Sequence, residues 1–424
     1  MRVAVIGAGI VGVTSAHELA ADGHEVTVFE RHAGVASETS FANAGVVAPG
    51  YVTPWAAPGM PAKVLRHLFG EHAPVRLGGA NVLGRLPWMW RWWRACRPTV
   101  YQANRACMYQ LARYSQQRLH ALTEALGLEY QQARGVLVLL RSARELAQAQ
   151  AALHMLSELQ VDFELLDGAQ CHRLEPGLNP AMPLHAGISL PRDEVGNCRH
   201  FAHLLKAQAQ RHGARWLFQH EVRSVAAGTT PTVKSVDLPN GAAAETRFDA
   251  VLLCTGHQAN RLLAPLKLAL PLAPVYGYSI TAPLSLGEHT TALGPRAAVM
   301  DEKFKVAISR LGQRIRVAGS AELGGDPLRQ NPAALATLYK VLDDWFPGAA
   351  RLSQASAWKG ARPMLPDGPP LLGASRQPGV WFNLGHGSSG WALACGSARL
   401  VADLIAGREP AIDTRGLLPQ RLHA

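Results

Sequence analysis

Arg2-Val3-Ala4-Val5-Ile6-Gly7-Ala8-Gly9-Ile10-Val11-Gly12 opens the chain, and one helix-length later comes Val26-Thr27-Val28-Phe29-Glu30. The first five residues read as a buried strand and the Gly-x-Gly-x-x-Gly as the turn leaving it. A helix follows, then a second strand that ends on an acid. Each part has a mechanical job in holding a dinucleotide. Gly7 permits the tight turn, Gly9 lets backbone approach a pyrophosphate, and Gly12 lets the helix pack closely on the strand. Glu30 can accept hydrogen bonds from ribose hydroxyls. The helix start adds free N–H groups where phosphates would sit. The spacing predicts a helix over about 11–22, stopped by Gly23.

The 424 residues, 48% of them apolar, are enough for two domains with full cores. Formal net charge is +11, from 42 basic residues of which only eight are lysine. A basic surface suits an anionic cofactor or anionic lipid headgroups. No nucleic-acid module and no run of five basic residues is present, so no nucleic-acid partner is expected. The cysteines are Cys96, Cys107, Cys171, Cys198, Cys254 and Cys395, without Cys-x-x-Cys or zinc-finger spacing. With the first strand at residue 2 and no secretory signal, reduced thiols and a cytoplasmic address are expected. No run of eighteen apolar residues reads as a membrane span.

Residues 34–62 are rich in Gly, Pro, Ala and Ser and read as a functional loop. Helices are expected over 101–126, 143–160, 199–212, 332–346 and 391–405, with a capped short helix at Asp167–Gln170. Strands are expected at 135–140, 215–218, 250–254, 275–281, 297–300, 306–310, 314–319 and 380–383, and a charged hairpin region at 223–248. The fold class is therefore α/β: a Rossmann-like cofactor domain from discontinuous segments 1–86, 188–265 and 352–424. A substrate domain, 87–187 and 266–351, combines helices with a mixed or antiparallel sheet.

Two further elements turn a dinucleotide into a flavin. The run Ala250-Val251-Leu252-Leu253-Cys254 ends in Thr255-Gly256, where small residues let backbone lie against a cofactor. Near the end, Asn383-Leu384-Gly385-His386-Gly387-Ser388-Ser389-Gly390-Trp391 puts glycines and serines at a helix start, suited to stabilising charge on a reduced flavin. Ser388 and Ser389 also read as simple helix caps. A nicotinamide enzyme has no use for this third lobe, so the cofactor expected is FAD. Hydride transfer to a flavin calls for substrate positioning and for no nucleophile or metal.

At this point the chain resembles a family. Glu38-Thr39-Ser40-Phe41-Ala42-Asn43-Ala44-Gly45, Pro49-Gly50-Tyr51, Pro54-Trp55-Ala56-Ala57-Pro58-Gly59, Pro191-Arg192-Asp193-Glu194, Gly277-Tyr278-Ser279 and Ala361-Arg362-Pro363 are similar to the bacterial D-amino acid dehydrogenase small subunits. So are Pro366-Asp367-Gly368 and Gly385-His386-Gly387. The family belongs to the D-amino acid oxidase and glycine oxidase superfamily. The resemblance implies oxidation of a D-amino acid to its imino acid, hydrolysis to a 2-oxo acid and ammonia, and electrons passed to a quinone or other respiratory acceptor. Oxygen-using glycine, sarcosine or cyclic D-amino acid oxidation is the alternative within enzymes, and a flavin-binding scaffold the alternative outside them.

Holding an α-carboxylate suits a planar, bidentate cation. The resemblance implies Arg362 in that role, from a loop. Tyr278 and Tyr276 are candidates for the carboxylate or pocket wall, or else ordinary cross-strand aromatics. His386 is a candidate for proton removal or flavin bracing, or is structural in its glycine turn. Tyr276, where relatives often carry Lys or Arg, and Phe304, where they often carry Tyr, depart from the family pattern near the expected pocket. The residues expected along the cofactor are Gly7, Gly9, Ile10, Val11 and Gly12, then Glu30 and Arg31. The following loop adds Ser37, Thr39, Ser40, Asn43, Ala44 and Gly45. Val222, Thr255, Gly256, Gly385, Gly387, Ser388, Ser389 and Gly390 complete the set.

Leu86-Pro87-Trp88-Met89-Trp90-Arg91-Trp92-Trp93-Arg94 holds four of the ten tryptophans. Trp beside Arg fits a peripheral contact with an anionic membrane, on the inner face of the plasma membrane. The same pattern fits a helix packed into the substrate domain.

Overall fold

The computed structural model describes residues 1–67, 72–78, 84–285 and 293–423. Strand Arg2–Ile6 lies at the centre of a six-stranded sheet, parallel to Ala250–Leu253 on one side and Glu25–Glu30 on the other. Val3, Ala4 and Val5 are buried because a central parallel strand is covered on both faces. Val380–Leu384 and Arg215–Phe218 extend the parallel set outward, and Leu371–Ala374 closes one edge antiparallel. Helices Ile10–Ala21, Cys198–Arg211, Gly390–Ile405 and the long Pro98–Leu126 share one core with this sheet. The opposite face carries a three-stranded antiparallel sheet, His220–Ala226, Thr232–Asp237 and Ala243–Arg247, so the charged 223–248 region is three strands.

The second sheet runs in the order Ser356–Met364, Ala273–Pro283, Arg314–Leu323, Val306–Leu311, Ala298–Asp301, Ala133–Leu140, Ala186–Val195, Val46–Val47. Its ladders are antiparallel except between Ala298–Asp301 and Ala133–Leu140, and where Val75–Leu77 joins Arg314–Leu323. Helix Pro332–Trp345 seals one face, burying Leu338, Val341 and Trp345 against Tyr278, Ile280 and Val317. Asn331 caps that helix by accepting from the Ala333 and Ala334 N–H groups, and Pro332 follows at its first turn. The capping box at Asp167 and Gln170 is present, with Gly168–Leu174 behind it.

Two readings of local structure change. Arg362 lies in strand Ser356–Met364, not in a loop. That strand forms an edge of the large sheet, where Pro363 costs no inner ladder bond. Ser388 and Ser389 make no side-chain cap; the helix starts at Gly390 after a 3-10 turn over Gly387–Ser389. Strands Ala186–Val195 and Ser356–Met364 hydrogen-bond into the large sheet, although the sequence places segments 188–265 and 352–424 in the expected cofactor domain. We propose that the domain division follows the sheets, with the chain crossing between them after each of these strands.

Candidate active site

One cavity of about 800 Å³ runs from the glycine turn to the floor of the large sheet. At its nucleotide end the backbone leaves no room for side chains. A Cβ on Gly12 would lie 1.9 Å from the Gly7 carbonyl oxygen, and one on Gly7, at φ +100°, would lie 2.9 Å from that of Cys254. Helix Ile10–Ala21 begins without a side-chain cap at Gly9. Ser40 Oγ accepts from the Ile10 N–H at 3.0 Å. The Glu30 carboxylate is fixed at its strand end by the Ala8 N–H (2.8 Å) and the His32 N–H (2.9 Å). Thr255 Oγ1 is buried there with no partner. A glycine cradle, an open helix start, an oriented acid and an unsatisfied hydroxyl fit an ADP moiety. Arg31 is engaged elsewhere: it pairs with Glu38, and its Nη1 donates to Gln258 Oε1 at 2.5 Å.

The loop over 39–45 is held by side chains of the large sheet, by one of its own and by one from helix Gly390–Ile405. Thr39 Oγ1 donates to the Ala361 carbonyl, Ser279 Oγ to that of Ala42 and Ser309 Oγ to that of Ala44, each at 2.7 Å. Trp391 Nε1 donates to the Gly45 carbonyl at 3.1 Å. These contacts explain why so long a loop is packed: its Ala42, Ala44 and Gly45 carbonyls are satisfied by Ser279, Ser309 and Trp391 from outside it, and Thr39 ties it to the large sheet.

At the other end, the sheet floor is flat because Gly277, Gly360, Ala318 and Gly319 carry almost no side chain. Arg362 lies across it. A Cβ at Gly277 would meet Arg362 Nη2 at 2.2 Å, so this glycine makes room for the guanidinium. The ladder between Ala273–Pro283 and Arg314–Leu323 slips at Tyr276/Tyr278, opposite Ser320 in the left-handed region at φ +56°. The Ser320 carbonyl there accepts from Arg362 Nη1 at 2.8 Å. Among the described residues no acid pairs with Arg362. Burial pushes its pKa down to about 10, which still leaves a full cation at neutral pH.

The profile of the FAD dependent oxidoreductase family matches residues 2–404. The chain belongs to that family. It is 42% identical over 423 residues to a D-amino acid dehydrogenase of Rhizorhabdus wittichii, covering 99% of this chain and 100% of the relative. It is 44% identical to one from Cereibacter sphaeroides ATCC 17029, covering 98% and 94%. Among solved structures it resembles the glycine oxidase of Geobacillus kaustophilus (TM-score 0.75, 21% identity, 98% of each chain). It also resembles the L-proline dehydrogenase of P. horikoshii (TM-score 0.73, 18% identity, 100% and 97%), which shows the same fold. The cofactor of this oxidoreductase family is FAD, and the cradle described above fits it. An enzyme family sets the scaffold alternative aside.

Of the candidate catalytic and cofactor residues, all but two line the oxidoreductase's cavity. Gly12 sits beneath the turn, in the packing role expected of it. Tyr276 is the other, and for Tyr276 and Tyr278 the structure favours the reading as cross-strand aromatics over that as carboxylate ligands. Alternation along the strand puts Gly277 and Ser279 toward the cavity and both tyrosine rings into the core under helix Pro332–Trp345. Tyr278 is 2% exposed, and its hydroxyl donates to Glu322, which also accepts from Lys359 Nζ (3.1 Å) and Asn331 Nδ2 (3.0 Å). Phe304 also leaves the pocket: it packs near Trp345 with the Arg141 guanidinium 5.2 Å from its ring. Neither departure from the family pattern touches the cavity floor.

For His386 the geometry favours the structural reading. Its Nε2–H donates to Ser397 Oγ at 3.0 Å, and that hydroxyl donates onward to the Ala394 carbonyl at 3.1 Å. The ring is buried in the turn as a brace, and burial pushes its pKa down to about 3. The unfolded ring titrates near 6.5. Between the two values the unfolded chain binds the extra proton, so stability rises with pH over this window and is fully present above it. His17, pushed down to about 4 chiefly by burial, acts in the same direction. His386→Gln is therefore expected to flatten the fall of Tm on acidification from about pH 7 to about pH 5. An unaltered slope would place the acid-sensitive group elsewhere.

Several cavity residues carried no sequence signal beyond their type. Trp88 and Trp92, four residues apart on helix Leu86–Ala95, face inward, and Trp88 Nε1 donates to the Met364 carbonyl at 3.1 Å. Trp90 and Trp93 face outward, 56% and 52% exposed, stacked with ring centres 5.1 Å apart. The tryptophan segment thus packs one face into the protein and leaves the other exposed. Tyr51 OH donates to Glu302 Oε2 at 2.8 Å, and Lys305 pairs with Glu302 on the cavity wall. Arg105 lines the cavity from the long helix. A helical wheel could have separated the tryptophans; nothing local marks the others.

Proposed function

We propose that this oxidoreductase oxidises D-amino acids at Cα to the imino acid, which water then converts to a 2-oxo acid and ammonia. The observation that carries the reading is Arg362: an unpaired guanidinium laid over a glycine floor, in the cavity that begins at the dinucleotide turn. FAD, when bound, supplies the two-electron acceptor. Arg362 receives the α-carboxylate through its planar fork, with one edge already oriented by the Ser320 carbonyl. Gly277, Gly360 and Ala318 leave room for substrate against the sheet. The walls contributed by Trp55, Trp88 and Trp92 exclude water and keep the charge pairing strong. His386, neutral and bonded to Ser397, holds the turn at Gly385–Gly387 and does not take the substrate proton. The curated relatives named as D-amino acid dehydrogenases support the substrate class.

The acceptor in this reading is a quinone or another respiratory carrier, met at an anionic membrane surface on the cytoplasmic side. Trp90 and Trp93 with the exposed Leu86 of the same helix form the apolar contact, beside Arg91 and Arg94. No described helix is long and apolar enough to cross a membrane. Turnover of D-alanine with a quinone embedded in vesicles containing anionic lipid tests both parts together. Brisk quinone reduction without peroxide is expected, lowered severalfold by Trp90→Ala with Trp93→Ala. Stoichiometric peroxide with no quinone reduction would make the protein an oxidase, and an unaffected double variant would remove the tryptophans from the membrane contact.

A further inference from the structure

The cavity holds a second arginine that oxidation at Cα does not use. Arg105 is 4% exposed and makes no hydrogen bond, ion pair or ring contact among the described residues. None of its nitrogens is sealed in protein, and the open side is the cavity it lines. Other arginines of the same helix find partners. Arg118 grips Glu18 through two hydrogen bonds of 2.7 and 2.8 Å, and Arg113 lies over the Tyr109 ring. The groups whose charge bears on Arg105 are the Tyr101 phenol, one helical turn back, and Glu158, which is 61% exposed and paired with His154. A guanidinium stays protonated and is costly to bury alone, so this one is completed by an anion entering the cavity.

Its height in the fold narrows the anion. The long helix runs alongside Gly390–Ile405, with Ser115 against Gly396 and Arg118 and Arg399 both on Glu18. Asn104, the residue before Arg105, donates from Nδ2 to the Asp367 carbonyl at 3.0 Å, which ties this turn of the helix to the loop five residues beyond Arg362. Arg362 enters from the sheet and Arg105 from the helix, so two cations face one apolar space from different walls.

We propose that Arg105 is a second carboxylate subsite, and that the preferred substrates are dicarboxylic D-amino acids, with the side-chain carboxylate on Arg105 and the α-carboxylate on Arg362. The inference rests on the proposed D-amino acid oxidation. The test compares isosteric pairs, D-glutamate with D-glutamine and D-aspartate with D-asparagine, by kcat/KM of the FAD-loaded enzyme. One acid is expected to exceed its amide by about tenfold or more, the usual scale for a charge-assisted pair in a closed site. Arg105→Gln is expected to lower that acid-to-amide ratio by about thirtyfold, with Arg105→Lys intermediate because it keeps charge but not the fork. Wild-type preference for both amides, or a ratio that Arg105→Gln moves by less than about threefold, would overturn the subsite. Glutarate and butyrate, which cannot react, give a second readout through perturbation of the flavin spectrum. Glutarate is expected to bind at least about tenfold more tightly, and equal binding would also overturn the subsite. If no D-amino acid reduces the flavin while glutarate still binds preferentially, the oxidation reading fails and the subsite stands.

Discussion

Arg362→Met is expected to lower kcat/KM for D-alanine by about a thousandfold, roughly 4 kcal/mol at about 1.4 kcal/mol per decade. The size follows from the environment of the side chain. Among the described residues no acid competes for the guanidinium; the Ser320 carbonyl accepts from it, the Trp55 ring lies 5.9 Å away, and the glycine beneath it is fitted to its outline. Removing it leaves an α-carboxylate desolvated with nothing to pair, and most of the cost is that unpaired charge. Arg362→Lys is expected to recover only a small part, since an ammonium is a single point charge and cannot offer two parallel N–H donors. Methionine keeps the apolar stem, so the FAD content should hold, which separates loss of binding from loss of fold. Steady-state kinetics with D-alanine check this, and an unchanged kcat/KM in Arg362→Met would remove the residue from the site.

Gly12→Ala is expected to abolish a stable FAD-loaded protein. The added Cβ would sit 1.9 Å from the Gly7 carbonyl oxygen, a backbone atom that cannot swing aside, with the Gly7 carbonyl carbon at 2.9 Å. The helix would have to leave the strand by more than an ångström, well beyond the ~1–3 kcal/mol of ordinary overpacking. Gly9→Ala is the informative partner. Its nearest atom is Ser40 Oγ at 3.5 Å and its φ is −64°, so the polypeptide accommodates it. Its Cβ then occupies the space a pyrophosphate needs. Gly9→Ala should fold and lose flavin on gel filtration, whereas Gly12→Ala should fail to accumulate in folded form. Flavin absorbance per protein and the thermal unfolding of each variant check the pair; a normal FAD content in Gly12→Ala would contradict the packing.

The nucleotide half was legible because its determinants are local. A strand, three glycines and an acid at fixed spacing allow one construction, and Val3–Ile6, Gly7 and Glu30 occupy the expected places. The floor of the other half depends on which face of a strand points where. Tyr276 and Tyr278 look like pocket residues in sequence because they flank a glycine and stand beside Ser279. The pleat and the ladder slip at Tyr276/Tyr278 decide that Gly277 and Ser279 face the cavity. Only pairing with distant strands settles that register, Tyr278 lying opposite Gly319 and Lys359, and no local pattern encodes it. Arg362 was recognisable through its surrounding motif, but its strand was not: Pro363 masks an edge strand as a loop. Arg105 was invisible for a different reason. Its helix was evident, yet an arginine on a helix is ordinarily solvated, and only the tertiary fold shows which one is left without a partner.

The central claim is that a D-amino acid gives up the hydrogen at Cα to the flavin in this cavity. Anaerobic mixing of the FAD-loaded enzyme with D-alanine, L-alanine and D-alanine deuterated at Cα tests it most directly. The flavin absorbance should bleach with the D-enantiomer, bleach severalfold more slowly with the deuterated one, and persist with the L-enantiomer. Bleaching by L-alanine alone, or by no D-amino acid offered, would contradict the account.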